Sequence, residues 1–247
     1  LAAAAPDAPT GLKVSEVTAS GFSLNWTAPS FDGGSAITDF TVEVSTDAGK
    51  TWRLAKTDAS TSTSFKVSGA SPGTGYLLRV AAKNAVGSSA YAQGSVKTLA
   101  TLPGAPQNLT ISKVSYRTLA LGWSLPISNG GSLITNYKIE FSGNGGTTWS
   151  EITHAVSASR SFNVTGLTRG KSYQFRVSAI NSVGVGVAST PASATTLLAT
   201  ASAPQSLTAS KVTSTGAELA WSAPSDDGGA AITKYVIEVS SDGGKSW

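Results

Sequence analysis

The sequence VTGLTRGKSYQFRVSAINSVG at residues 164–184 has a counterpart 97 residues earlier, VSGASPGTGYLLRVAAKNAVG at residues 67–87. In each copy a tyrosine, Tyr76 or Tyr173, opens a run in which apolar and polar residues alternate. Such alternation is typical of a β-strand that is buried on one face. Glycines and asparagines on either side of the run predict turns. The two copies therefore predict a β-rich unit that occurs at least twice.

The rest of the 247-residue chain follows the same repeat. Marker residues recur at intervals of 97 and 98 residues: Trp26, Trp123 and Trp221; Trp52, Trp149 and Trp247; Pro9, Pro106 and Pro204; Gly33, Gly130 and Gly228. A unit of this length can bury a core of its own, unlike the roughly 20–45-residue units of solenoids. We therefore predict self-contained modules arranged like beads on a string.

Two further strands are predicted in each module from the same alternation. One carries the tryptophan of the first series, as in Phe22, Leu24 and Trp26. The next strand is predicted at these residues: Phe40, Val42 and Val44; Tyr137, Ile139 and Phe141; Tyr235, Ile237 and Val239. No segment has a sustained helical period. About seven short strands per module predict an all-β fold of antiparallel β-sandwiches.

These motifs resemble the fibronectin type III repeat, an immunoglobulin-like sandwich. The pattern V-x-G-L-x-x-G-x-x-Y followed by A-x-N-x-x-G is matched by Val164, Gly166, Leu167, Gly170, Tyr173, Ala179, Asn181 and Gly184. The first module departs from the pattern at Ala70, where the family prefers leucine. The resemblance implies a structural core around Trp26, Trp123 and Trp221. It also implies tyrosine corners, in which the hydroxyls of Tyr76 and Tyr173 bond to backbone of the preceding loop.

The repeat divides the chain into modules and linkers. We predict module 1 at residues 6–98, a linker at 99–105, module 2 at 106–196, a linker at 197–203 and the N-terminal half of module 3 at 204–247. Prolines restrict the linkers, while the alanines and threonines beside them are expected to permit bending. Residues 1–9 resemble the linkers, so we expect another module before Leu1 and the missing half of module 3 after Trp247.

Composition excludes several partners and suggests a cellular setting. The 18 basic and 14 acidic residues are scattered singly, which argues against a nucleic-acid partner. No apolar run approaches the ~20 residues of a membrane helix, so we predict no membrane insertion in this segment. The chain has no cysteine. That composition fits modules of the bacterial or phage surface type, and we predict an extracellular or cell-surface location.

No catalytic, cofactor or metal site is predicted. His154 is the only histidine, so a metal site built from several histidines cannot form within one chain, and His154 is expected to be solvated. Gly170-Lys171-Ser172 lacks the first glycine of a phosphate-binding loop and enters a predicted strand. Asp32 and the pair Asp226–Asp227 suggest calcium, but too few carboxylates gather for six to eight oxygen ligands. We therefore expect a protein that is not an enzyme.

A second motif, S-x-D-x-G-x-x-W, occurs at residues 45–52 and 240–247 and is known from sialidase-like propellers. Module 2 has Asn144 in place of the aspartate. A tight turn tolerates that exchange and a catalytic carboxylate does not, so we predict a structural hairpin. We find no aromatic row outside the core that would stack on a sugar.

Three functions fit this organisation. The first is a non-catalytic spacer or adhesion array of a longer cell-surface or secreted protein, with an unidentified protein or glycan partner. The second is a set of linker modules in a secreted polysaccharide-degrading enzyme. The third is a homo-oligomeric filament or virion appendage, in which a neighbouring chain donates a strand to complete the half module.

Overall fold

The computed structural model describes residues 2–247, and these contain strands and turns but no helix. Module 1 contains seven strands: β1 (Thr10–Ser15), β2 (Gly21–Thr27), β3 (Asp39–Ser45), β4 (Arg53–Leu54), β5 (Ser64–Ser68), β6 (Gly75–Lys83) and β7 (Ala92–Lys97). They form two antiparallel sheets, β1-β2-β5 and β4-β3-β6-β7. The two sheets face each other, and the alternating apolar residues of both fill the space between them.

Module 2 repeats this arrangement with one more strand. Its strands are β8 (Gln107–Ser112), β9 (Leu119–Ser124), β10 (Asn136–Ser142), β11 (Ser150–Glu151), β12 (Ser161–Val164), β13 (Ser172–Ile180), β14 (Val185–Ala188) and β15 (Ala192–Thr195). The sheets are β8-β9-β12 and β11-β10-β13, and β14 and β15 both pair with β13. The edge strand is split in module 2, which also has one more residue between Asn181 and Thr196 than module 1 has between Asn84 and Thr98. The structure therefore confirms the predicted class of antiparallel β-sandwiches.

An aromatic pair marks the core of each module. The ring of Trp26 meets that of Phe40 edge to face at 5.4 Å, and Trp123 meets Tyr137 in the same way at 5.1 Å. All four side chains are buried. Edge-to-face contacts between large rings add to the free energy gained by burying them. These pairs join the two sheets of each sandwich.

The third module differs from the prediction. It has only β16 (Gln205–Ser210) and β17 (Glu218–Ser222), paired with each other. The strand predicted at Tyr235, Ile237 and Val239 does not form among the described residues. Its counterparts β3 and β10 hydrogen-bond along their length to β6 and β13, for which the third repeat has no counterpart before Trp247. Alternation therefore identified the residues of a strand but not the ladder that a strand needs.

Candidate functional site: the joints between modules

The aromatic residues that the repeat predicts as core residues lie in the module interiors, with one exception. Trp26, Trp123, Tyr76 and Tyr173 are buried, whereas Trp221 is half-buried against Tyr235. The Tyr76 hydroxyl accepts a hydrogen bond from the Ser71 amide at 2.9 Å. The Tyr173 hydroxyl accepts one from the Thr168 amide at 3.0 Å. The tyrosine corners implied by the resemblance are therefore confirmed in both complete modules.

The S-x-D-x-G-x-x-W motif folds into a tight turn. Asp47 accepts hydrogen bonds from the Thr51 amide at 2.9 Å and from its hydroxyl at 2.5 Å. These bonds lower the pKa of the Asp47 carboxyl to about 2. In module 2 the Asn144 carboxamide oxygen accepts the same amide bond, from Thr148, at 3.0 Å. The predicted hairpin is confirmed, and the Asp47 carboxylate stabilises the turn by accepting these hydrogen bonds.

The aspartates considered for calcium also cap turns. Asp32, Asp226 and Asp227 each accept a hydrogen bond from the amide two residues later. Asn129 does the same in module 2. Across residues 2–247 no three His, Cys, Asp or Glu side chains gather into a group that could hold a metal ion. These turns orient the glycine pairs that follow them.

His154 is half-buried, which differs from the solvated position expected for it. Its ring packs on Phe162 at 5.3 Å between centroids, and Nδ1 lies 2.8 Å from the Ala155 carbonyl oxygen. Because a carbonyl only accepts, this contact places the proton on Nδ1. The imidazole thus covers the side of the module 2 core.

The linkers are bonded to the module behind them. We call residues 99–105, with the module 1 and module 2 loops they touch, joint 1, and residues 197–203 with their loops joint 2. In joint 1 the Leu99 amide donates to the Thr18 carbonyl, and the Leu99 carbonyl accepts from the Gly73 amide. Leu197 makes the equivalent pair with Ser115 and Gly170 in joint 2. Each linker therefore begins as a fixed extension of the preceding sandwich.

The same linkers are also bonded to the module ahead. The Thr101 amide donates to the Gly130 carbonyl at 2.8 Å in joint 1, and the Ala199 amide donates to the Gly228 carbonyl at 2.8 Å in joint 2. The buried Asn181 side chain then donates from Nδ2 to the Thr101 carbonyl at 2.7 Å and to the Asn129 carbonyl at 2.9 Å. Asn181 thus ties linker and turn together.

The segment before module 1 is held in the same manner. The Ala4 amide donates to the Gly33 carbonyl at 2.8 Å. Asn84 donates from Nδ2 to the Ala4 carbonyl at 2.7 Å and to the Asp32 carbonyl at 2.8 Å. The arrangement is therefore a property of the repeat and not of one joint.

Backbone of one module also touches backbone of the next. A Cβ added at Gly131 would lie 2.2 Å from the Pro72 carbonyl oxygen, and one at Gly170 would lie 2.7 Å from the Gly229 carbonyl oxygen. Gly131 has φ +77° and Gly229 has φ +89°, a region that favours glycine. Only glycine permits this approach, because any side chain would enter the neighbouring module. The linker residues that were expected to permit bending are therefore held between closely packed loops in both joints.

The two joints differ in their side chains. In joint 2, Arg169 forms an ion pair with Asp226, and Arg117 Nη2 lies 3.7 Å from the same carboxylate. The counterparts in joint 1 are Pro72, Ser128 and Ser20, which carry no charge. Hydrogen bonding to the Gly228 amide and the two arginines lower the pKa of Asp226. One joint is therefore held by charge as well as by backbone.

A stack on the outer face of each module was missed by sequence reasoning. In module 1 the Arg79 guanidinium carbon lies 4.1 Å from the Trp52 ring centroid, and Arg79 Nε donates to Glu43 at 2.7 Å. In module 2 Arg176 lies 4.3 Å from the Trp149 ring and donates to Glu140 at 2.9 Å. The available signal was that the Trp, Glu and Arg each recur 97 residues apart, with Glu and Arg on the polar side of their strands.

A family model for the fibronectin type III domain matches three stretches, at residues 7–98, 104–195 and 202–246. The chain belongs to the fibronectin type III family. This membership indicates a modular structural segment and no catalytic family.

Similar proteins are long animal proteins. The chain is 33% identical to titin of Drosophila melanogaster over 73% of its length and 1% of titin's. It is 28% identical to the striated-muscle M-protein of Gallus gallus, covering 94% of the chain and 16% of that protein. It is 30% identical to fibronectin type-III domain-containing protein 3A of Pongo abelii, covering 98% and 21%. The chain thus spans about a fifth or less of these relatives, and they give no support to a bacterial or phage type.

Among solved structures, the FN1–FN3 domains of chicken CNTN1 have a similar fold. The TM-score is 0.57 at 22% sequence identity, over 88% of this chain and 76% of that one. At that identity the similarity shows the fold alone. The fibronectin type III modules described here, residues 2–247, include no helix long and apolar enough to span a bilayer.

Proposed function

We propose that this segment is a stiff, non-catalytic spacer of a cell-surface or secreted protein. The observation that carries the proposal is the joint, in which each linker is hydrogen-bonded to the sandwich on both sides. A spacer transmits distance only when its modules cannot reorient freely, since a flexible linker lets the two ends approach each other. The joints described above provide that restriction.

Hydrogen bonds hold the linker of joint 1 at three positions along its length. Leu99 fixes the start of the linker, Thr101 and Asn181 fix its middle, and the Gly104 amide donates to the Ser128 carbonyl at 2.9 Å near its end. Short backbone segments that are bonded at both ends have few free dihedral angles. Modules 1 and 2 are therefore expected to move as one body.

The location outside the cell rests on composition. The segment has few charged residues and no cysteine, so its modules depend on apolar cores and hydrogen bonds, which the oxidising environment outside the cell does not impair. The test is protease treatment of intact cells that express the natural protein. Cleavage of this segment in intact cells agrees with a surface location, and protection until the cells are lysed contradicts it without affecting the spacer proposal.

Stiffness is tested by residual dipolar couplings measured separately for modules 1 and 2. Rigidly joined modules share one alignment tensor, so we expect equal magnitude and direction of alignment in the wild type. Gly131→Ala introduces a Cβ that clashes with Pro72, and we expect the two tensors to diverge.

The matched control is Gly34→Ala in module 1. Gly34 has φ +74°, close to that of Gly131, but a Cβ there would meet nothing within 4 Å. Both variants carry the same backbone strain, so only the clash separates them. A wild type whose two modules align with different magnitudes would refute the stiff joint.

A further inference from the structure

The guanidinium of Arg79 in module 1 is covered on both faces. Its central carbon lies 4.1 Å from the Trp52 ring centroid and 4.2 Å from the Tyr91 ring centroid. A cation between two rings gains from both, because each ring presents its negative face. Burial and the nearby Glu43 carboxylate raise the pKa of the Tyr91 hydroxyl.

In module 2 the same guanidinium is covered on one face only. Arg176 stacks on Trp149, and no second ring approaches it within residues 2–247. Module 2 has no aromatic residue at the position of Tyr91. The loop is one residue longer there, so the positions 97 and 98 residues after Tyr91 are Ala188 and Ser189. The Arg176 side chain is correspondingly more exposed, 31% against 24% for Arg79.

Lys138 is the further side chain beside Glu140 in module 2, and it brings no ring. Glu140 accepts a hydrogen bond from Lys138 Nζ at 2.9 Å, and the counterpart of Lys138 in module 1 is Thr41. Lys138 thus gives Glu140 a second donor beside Arg176. Hydrogen bonding from Arg176, then from Lys138, lowers the pKa of Glu140. Module 2 therefore has no second ring over a guanidinium that Trp149 and Glu140 hold in position.

We propose that the open face of Arg176, beside Trp149, is a docking place for an aromatic side chain of another protein. Module 1 provides the template, since it shows the same guanidinium with a tyrosine ring seated on it. The partner's ring would occupy the position of the Tyr91 ring, and Trp149 and Glu140 would hold the guanidinium flat to receive it. An aliphatic side chain would gain no attraction from the cation. The spacer would then also bind a protein partner through this surface of module 2.

The test is an NMR titration of the full 247-residue chain with N-acetyl-L-tyrosinamide. The Nε–H signal of Arg176 and the indole N–H signal of Trp149 should shift saturably, with a dissociation constant on the order of tens of millimolar for one stacked ring. The signals of Arg79 and Trp52 are the internal control, because Tyr91 already fills their place. They should shift several-fold less.

A variant and a second probe keep the result specific. Tyr91→Ala opens the corresponding place in module 1, so Arg79 should then respond to the tyrosine amide. N-acetyl-L-leucinamide should shift none of these signals. Equal shifts of Arg79 and Arg176 in the wild type, or equal shifts with the leucine amide, would overturn the proposal. A shift of Arg176 that depends on protein concentration alone would overturn it in favour of a second copy of the chain as the occupant.

Discussion

Asp47 closes its turn through side-chain and backbone hydrogen bonds, and this makes the turn sensitive to acid. The bonds from Thr51 lower the pKa of Asp47 from its ordinary value of 3.8 to about 2. A carboxyl with a lowered folded-state pKa stabilises the fold above its ordinary pKa, and that contribution is lost as pH falls through the folded value. We therefore expect the turn to loosen between about pH 4 and pH 2. The NMR chemical shift of the Asp47 carboxyl carbon measures this titration.

The repeat itself supplies the control for this titration. Asp47→Asn recreates the turn of module 2, where Asn144 makes the same hydrogen bond to the amide four residues later. The variant should keep the turn and lose its response to acid. A titration midpoint of Asp47 near 3.8 would contradict the assignment of these bonds.

Two tyrosine hydroxyls in module 2 should differ in their contribution to stability. Tyr173→Phe removes the acceptor of the Thr168 amide, and an unpaired backbone group costs about 1–3 kcal/mol. Tyr137 is buried but its hydroxyl has no hydrogen-bond partner, and module 1 has Phe40 at this position. Tyr137→Phe should therefore leave the stability unchanged or raise it. Urea unfolding followed through module 2 amide signals checks both, and equal losses would contradict the distinction.

The linker of joint 1 is tied to module 2 by the side chain of Asn181. Asn181→Ala removes both bonds from Nδ2 to the Thr101 and Asn129 carbonyls, so joint 1 should open more often. Hydrogen exchange of the Thr101 amide, which bonds to Gly130, should accelerate by roughly tenfold or more for a loss above ~1.4 kcal/mol. Asn84→Ala is the matched control, since it frees Ala4 and leaves joint 1 intact. Unchanged exchange at Thr101 in the Asn181 variant would exclude this role.

Strands and joints differ in how far the sequence predicts them. Three strands of each complete module, β2, β3 and β6 with their counterparts β9, β10 and β13, follow from local alternation. The tyrosine corners follow from a short motif around Tyr76 and Tyr173. The strand expected at Tyr235 required a partner strand that alternation cannot report. The joints depend on backbone carbonyls such as those of Thr101 and Gly130, and a carbonyl has no sequence signature. Asn181 was recognised as part of a family motif, but its bond to a linker 80 residues away was not predictable.

At the scale of the whole molecule, the two joints should respond differently to salt. Added salt screens charges at distances beyond about 10 Å at 0.1 M and about 3 Å at 1 M, so a partly exposed ion pair weakens. Joint 2 contains the Arg169–Asp226 pair, and its counterparts in joint 1 are uncharged. Exchange of the Ala199 amide should therefore accelerate in salt, while that of Thr101 should not. Asp226→Asn should abolish the difference, and equal acceleration at both amides would contradict it.

The repeated backbone contact between Gly73 and Gly131, and again between Gly170 and Gly229, has a geometric consequence. When successive modules meet through the same contact, one rotation and one translation carry each module onto the next. Repeating that operation generates a screw axis, so a longer run of such repeats would wind as a helix of constant pitch. Equivalent side chains, such as the arginines of the outer faces, would then follow a spiral path around the axis at regular intervals.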